Sequence, residues 1–185
     1  MVKLGFVPLL ITFISLPCFL PSKSFSAAQG DDLIIHVCKN TNDFIFCNDT
    51  IYSDTRAIYA RTSRTILAYI AFGKAAEYTI DIKDVYLPSE IKSIAAGGGE
   101  SGILQGLLNC LDNYKIVRER LAHMLKELDA VINTDFDKLS LEIEGQACAC
   151  ENNFNGRSPM TKMNDHMVKL ANICYEVALL YKLHN

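Results

Sequence analysis

Seven cysteines punctuate this chain of 185 residues, and their placement restricts its fold more than any other feature. Cys18 sits in a leading apolar stretch. Cys38 and Cys47 follow close together, Cys110 and Cys150 lie far downstream, and Cys148 and Cys174 complete the set. The leading stretch has the make-up of a secretory signal. Lys3 supplies a lone positive charge, Leu4 to Leu20 is uncharged and mostly apolar, and Ser26-Ala27-Ala28 offers small residues for cleavage. Pro8 and Pro17 interrupt the run, which favours a removable leader over an uncleaved membrane anchor. The sequence therefore predicts a signal peptide over 1–28 and one domain over 29–185, with six cysteines in an oxidising compartment. Six cysteines can pair in 15 ways, and the count alone does not choose among them.

Cleavage would also remove Lys3 and Lys23, leaving 16 basic against 21 acidic residues and a net charge of −5. An acidic domain without a basic stripe is not expected to bind nucleic acid, because phosphate recognition needs clustered Lys and Arg. No second apolar run of spanning length follows the leader, so no membrane association is expected of the mature form.

Helical periodicity dominates the rest. Asp31 to Asn48 holds two short apolar patches, Leu33–Val37 and Phe44–Phe46, around the polar break Lys39-Asn40-Thr41-Asn42-Asp43. This reads as a hairpin of two short helices, each too short to persist alone in water. A Cys38–Cys47 bridge would supply the missing restraint, about 2.7 kcal/mol by loop-closure entropy. A first long helix is expected over Asp54 to Lys83 with Asp54 as N-cap. Its buried stripe would be Tyr59, Thr62, Ile66, Tyr69, Gly73, Ala76 and Ile80. Pro88 and Gly97-Gly98-Gly99 then mark an irregular connection.

A second long helix is expected over Glu100 to Ile132, with a seam running from Leu104 through Leu107, Tyr114 and Leu121 to Ile132 and Arg118 as its one polar member. A shorter helix follows from Asp137 to about Asn152, with Leu139, Ile143, Gln146 and Cys150 on one face. The last helix starts at Ser158-Pro159, a capping hydroxyl followed by a proline suited to a first turn. Its seam is Met160, Met163, Met167, Leu170, Cys174, Val177 and Tyr181. The pattern predicts an all-α fold: an antiparallel four-helix bundle preceded by an N-terminal helical hairpin. Cys110 and Cys150 fall on apolar faces, and their pairing would close a long loop worth about 3.9 kcal/mol. Cys148 and Cys174 are expected to stay out of disulfides.

Motifs that carry chemistry are scarce. There is no Gly-x-Ser-x-Gly elbow, no His-Glu-x-x-His and no phosphate-binding glycine loop. Cys148-Ala149-Cys150 and the scattered His36, His123, His166 and His184 lack zinc-site spacing. No catalytic residue, cofactor or metal is assigned. Asn48-Asp49-Thr50 is a glycosylation sequon.

Taken in order, several short segments resemble the plant invertase and pectin methylesterase inhibitor family. They are Val37-Cys38 … Phe46-Cys47 with Asp54-Thr55-Arg56-Ala57, and Leu107-Leu108-Asn109-Cys110 … Tyr114. Next come Cys150-Glu151-Asn152-Asn153-Phe154 and Ser158-Pro159-Met160-Thr161-Lys162-Met163-Asn164. The resemblance implies a hairpin plus four-helix bundle, disulfides Cys38–Cys47 and Cys110–Cys150, and a secreted, noncatalytic protein of the apoplast or vacuole. Such a protein binds a plant invertase (β-fructofuranosidase) or, alternatively, a pectin methylesterase. The Ser-Pro-x-Thr-Lys start of the last helix is closer to the invertase-inhibitor branch. Members of that branch present a Pro-Lys-Phe turn to the carboxylates of the sucrose cleft. Here the matching stretch is Thr134-Asp135-Phe136, with Phe136 as the aromatic anchor, Asp135 in place of the cation, and Lys138 nearby. Pectin methylesterase inhibitors are instead expected to engage their target through bundle helices. A reading of another class, a secreted lipid or small-ligand carrier, rests on the Cys-x-Cys shared with plant lipid-transfer proteins. Their adjacent cysteine pair is absent here.

Overall fold

The computed structural model describes residues 32–98, 100–130 and 135–182. The expected signal peptide, Thr134, Gly99 and His184 lie outside the described residues. The described chain is all-α. The N-terminal hairpin is α1 (Leu33–Asn40) and α2 (Phe44–Tyr52), followed by a single turn, α3 (Ala57–Ala60). The bundle helices are α4 (Arg64–Ile80), continued by a π-helical stretch (Asp81–Tyr86) and α5 (Leu87–Ala96), then α6 (Ser101–Ala130), α7 (Phe136–Asn152) and α8 (Thr161–Lys182).

Cross-helix partners show the directions. As α6 numbers rise, α7 numbers fall: Asn109 with Asn153, Asn113 with Gln146, Arg120 with Glu142. The same holds for α4 with its π extension against α6, where Tyr69 meets Asp129 and Asp84 meets Arg118. It holds again for α7 against α8, where Asp137 meets Lys182 and Glu151 meets Asn164. The bundle is therefore antiparallel along each of these three neighbouring pairs. Both expected disulfides are present, Cys38–Cys47 and Cys110–Cys150, with Cα atoms 5.4 Å and 4.6 Å apart. Cys148 and Cys174 lie outside them.

The first long helix departs from expectation in three ways. It starts later, because the Ser63 hydroxyl accepts from the Ile66 N–H and caps α4. Asp54 instead accepts from the N–H and guanidinium of Arg56, which holds its carboxyl down at about 2. Second, the buried face is Leu67, Ala68, Ile70, Ala71, Phe72, Ala75 and Thr79, while Tyr59 and Ile80 are exposed. The segment is apolar nearly all round, and α4 packs against α6, α8 and the hairpin together, so local periodicity could not select the face. Third, Pro88 does not end the helix. A proline has no N–H and crowds the carbonyl four residues back, here that of Asp84. The chain answers by slipping to i→i+5 bonding, with the Leu87 N–H donating to the Ile82 carbonyl. The wider turn brings Ile82 and Leu87 both into the core.

On α6 the buried face keeps Leu107, Tyr114, Leu121 and Leu128 of the expected seam and adds Cys110, Val117 and Met124, while Arg118 is exposed and pairs with Asp84 at 3.6 Å. Between α7 and α8 the chain reverses through Asn155 (φ 50°) and Gly156 (φ 84°), a left-handed pair in which glycine carries the larger departure without strain. On α6, Gly106 is fixed by close approach. A Cβ there would lie 2.5 Å from the ring of buried Phe154. Gly106→Ala is expected to destabilise by about 1–3 kcal/mol, because the overlap outweighs the helix propensity gained. A urea melt with an unchanged or raised midpoint would show that the Phe154 ring yields freely.

Candidate functional site

The turn into α7 is where the sequence places the partner contact. Asp135 is exposed at the N-cap position of α7, and its side chain makes no capping bond. It forms an ion pair with Lys138, which holds the Asp135 carboxyl below its ordinary range and the Lys138 ammonium above its own. The two charges thus neutralise each other at the surface. Thr134 falls outside the described residues.

Phe136 corrects the expectation of a projecting anchor. It is only 3% exposed. Its ring packs tilted on Phe72 of α4 at 5.4 Å and edge-on to Tyr181 of α8 at 5.6 Å. The turn carries an apolar residue at the first position of a helix whose neighbours leave a gap there, so burial wins over display. Beside it Asp137, nearly buried, accepts from Lys182 at 2.5 Å. No local pattern signals that pair, since the two residues are 45 positions apart.

Three of the segments behind the family resemblance, those around Tyr114, Glu151 and Thr161–Asn164, converge at the opposite end of α7. Tyr114 of α6 donates to Asn164 Oδ1 at 2.9 Å, and Asn164 Nδ2 donates to Glu151 at 2.7 Å. Thr161 donates to the other Glu151 oxygen at 2.6 Å. The Ser158 hydroxyl accepts from the Met160 N–H at 3.0 Å. Burial pushes the Tyr114 phenol far above its ordinary value, so it remains a neutral donor. With Cys110–Cys150 close by in sequence on both helices, this group ties α6, α7 and the start of α8 together. These residues are structural fasteners, which short sequence motifs do not distinguish from contact residues.

Other singled-out positions are dispersed. Asn48 is half-buried on α2, one residue past a disulfide cysteine. Cys174 is fully enclosed, which pushes its thiol up to about 12 and keeps it protonated. Among the described residues no group of three or more His, Cys, Asp or Glu side chains is placed to hold a metal ion. No described helix is long and apolar enough to cross a membrane. A groove of about 510 Å³ lies along α6 beside the π stretch. Lys83, Lys115 and Arg118 there alternate with Asp112 and Glu119, so it has no dominant charge.

Fold and sites define a disulfide-pinned helical bundle whose outer surface is finely mixed in charge. Compared with known proteins, the chain matches no family model and no curated protein.

Proposed function

We propose that this protein is a secreted, noncatalytic inhibitor that binds a plant invertase stoichiometrically and without cofactor. The observation that carries the reading is the ordered series of cysteine and helix-start segments, whose members Tyr114, Glu151, Thr161 and Asn164 join in one hydrogen-bonded group. A rigid scaffold suits such a role, because a surface fixed before binding loses little entropy on docking. The disulfides Cys38–Cys47 and Cys110–Cys150 supply that rigidity. Titrating purified invertase and pectin methylesterase with the mature protein tests the proposal, and activity of both enzymes unaffected at micromolar protein would discard it.

The turn makes its own prediction. Asp135→Lys removes the partner that occupies Lys138 and reverses the charge beside it. If the turn faces a carboxylate-lined cleft, inhibition should tighten severalfold at low salt and the gain should shrink as salt is added. No gain at low salt moves the contact elsewhere. A pectin methylesterase is the second reading, favoured by one observation: with Phe136 buried, the turn lacks an aromatic to insert. Contact through bundle helices then becomes the more natural geometry. α6 and α7 carry the exposed Leu108 and Leu141 among polar neighbours.

A further inference from the structure

The hairpin is held to the bundle at two places of different chemistry. Its base is apolar and deep, with Ile34, Val37 and Ile51 buried, and is closed by Arg61 with Asp32 and by the Leu33 N–H on the Arg61 carbonyl. Its tip is polar and aromatic, and meets one side of α8. The Asn42 N–H donates to Asn172 at 2.9 Å, Lys169 pairs with Asp43 at 2.7 Å, and the Phe46 ring stands edge-on to His166 at 4.8 Å. His166 in turn stacks on Tyr78 of α4 at 4.1 Å. A groove of about 350 Å³ already runs along this seam, between Asn42–Asp43 and Asp165–Asn172, so solvent reaches it without unfolding.

We propose that the hairpin tip is an acid-sensitive latch, closed while the imidazole of His166 is neutral and loosened when that imidazole takes a proton. The groups around His166 set the direction. From α2 comes Asp43, whose carboxylate is already committed to Lys169 and the Phe46 N–H. From α4 comes Tyr78, whose phenol burial holds neutral at about 12. From α8 itself come Lys169, one turn away, and the groove residue Asp165. A proton on His166 gains attraction from the Tyr78 ring face. It loses hydration in the stack and meets the Lys169 ammonium. The losses win, and the imidazole is held below its ordinary value, by burial first and Lys169 second.

The sign follows. With the tip released, His166 regains water and distance from Lys169, and binds a proton more readily than when docked. Falling pH therefore draws the equilibrium toward the released tip, starting near the ordinary histidine value and complete below the docked one. The base, held by buried Ile34, Val37 and Ile51 and closed by Arg61 with Asp32, is not expected to follow that proton.

Hydrogen exchange on the intact oxidised protein tests the latch, comparing about pH 7.5 with about pH 5 after correction for intrinsic rates. Amides 42–48 should lose protection severalfold on acidification while amides of α6 and α7 keep theirs. His166→Phe, which keeps a ring and removes the titration, should abolish the difference. Unchanged tip protection in the parent protein, parallel loss across the bundle, or equal loss in the variant would each overturn the proposal. If the variant does not fold, an NMR titration of the parent decides. Tip amide shifts should follow the His166 ring with one midpoint, and separate midpoints would refute the coupling.

Discussion

Phe136→Ala is expected to lower folding stability by about 3–5 kcal/mol, the usual loss when a buried aromatic is cut back to a methyl. Its ring fills the junction of α7, α4 and α8 and contacts both Phe72 and Tyr181. Removing it leaves a cavity beside α7 and α8, whose backbones are held elsewhere by Cys110–Cys150 and by the Asn164 group, so collapse is incomplete. For a chain of this size the loss corresponds to a fall in Tm on the order of 10 °C. Phe136→Leu should recover much of it. A thermal or urea melt distinguishes this from a surface role. If Phe136→Ala melts like the parent and only inhibition of the target weakens, the ring is on display and the packing described above is wrong.

The second large effect is expected from Cys110→Ser combined with Cys150→Ser. Removing a bridge of this loop length should cost about 2–5 kcal/mol, with loop entropy alone giving about 3.9 kcal/mol. The double variant avoids leaving a single reactive thiol. The bridge lies beside the Tyr114–Asn164–Glu151–Thr161 group, so its loss should also reduce exchange protection around residues 110–114 and 150–164. Cys38→Ser with Cys47→Ser should be milder and more local, because the closed loop is shorter and only the hairpin depends on it. A melt in which the 110–150 double variant equals the parent would show that helix packing alone holds α6 against α7.

Much of the fold was legible because its signals are local or covalent. Ser158-Pro159 marks the approach to a helix, although α8 begins only at Thr161 and the Ser158 hydroxyl accepts from the Met160 N–H just ahead of it, and Met167, Leu170, Cys174 and Val177 repeat at steps that α8 does bury. The candidate contact turn was legible only as a position. The sequence located Asp135, Phe136 and Lys138 at the start of α7, and could not tell that Asp135 would neutralise Lys138 or that Phe136 would turn inward. Exposure of one residue depends on whether distant helices leave room for it, here Phe72 and Tyr181.

By itself the sequence determined helices, a hairpin, two pairable cysteine sets and a net acidic charge, since each follows from periodicity, spacing or composition. Tertiary structure decided the face that α4 buries, the passage of Pro88 through a π turn, the inward set of Phe136 and the placing of His166 on the Tyr78 ring with Phe46 edge-on to it. Those outcomes turn on competition for the same interior space among elements far apart in the chain, and a local pattern carries no record of who else is competing.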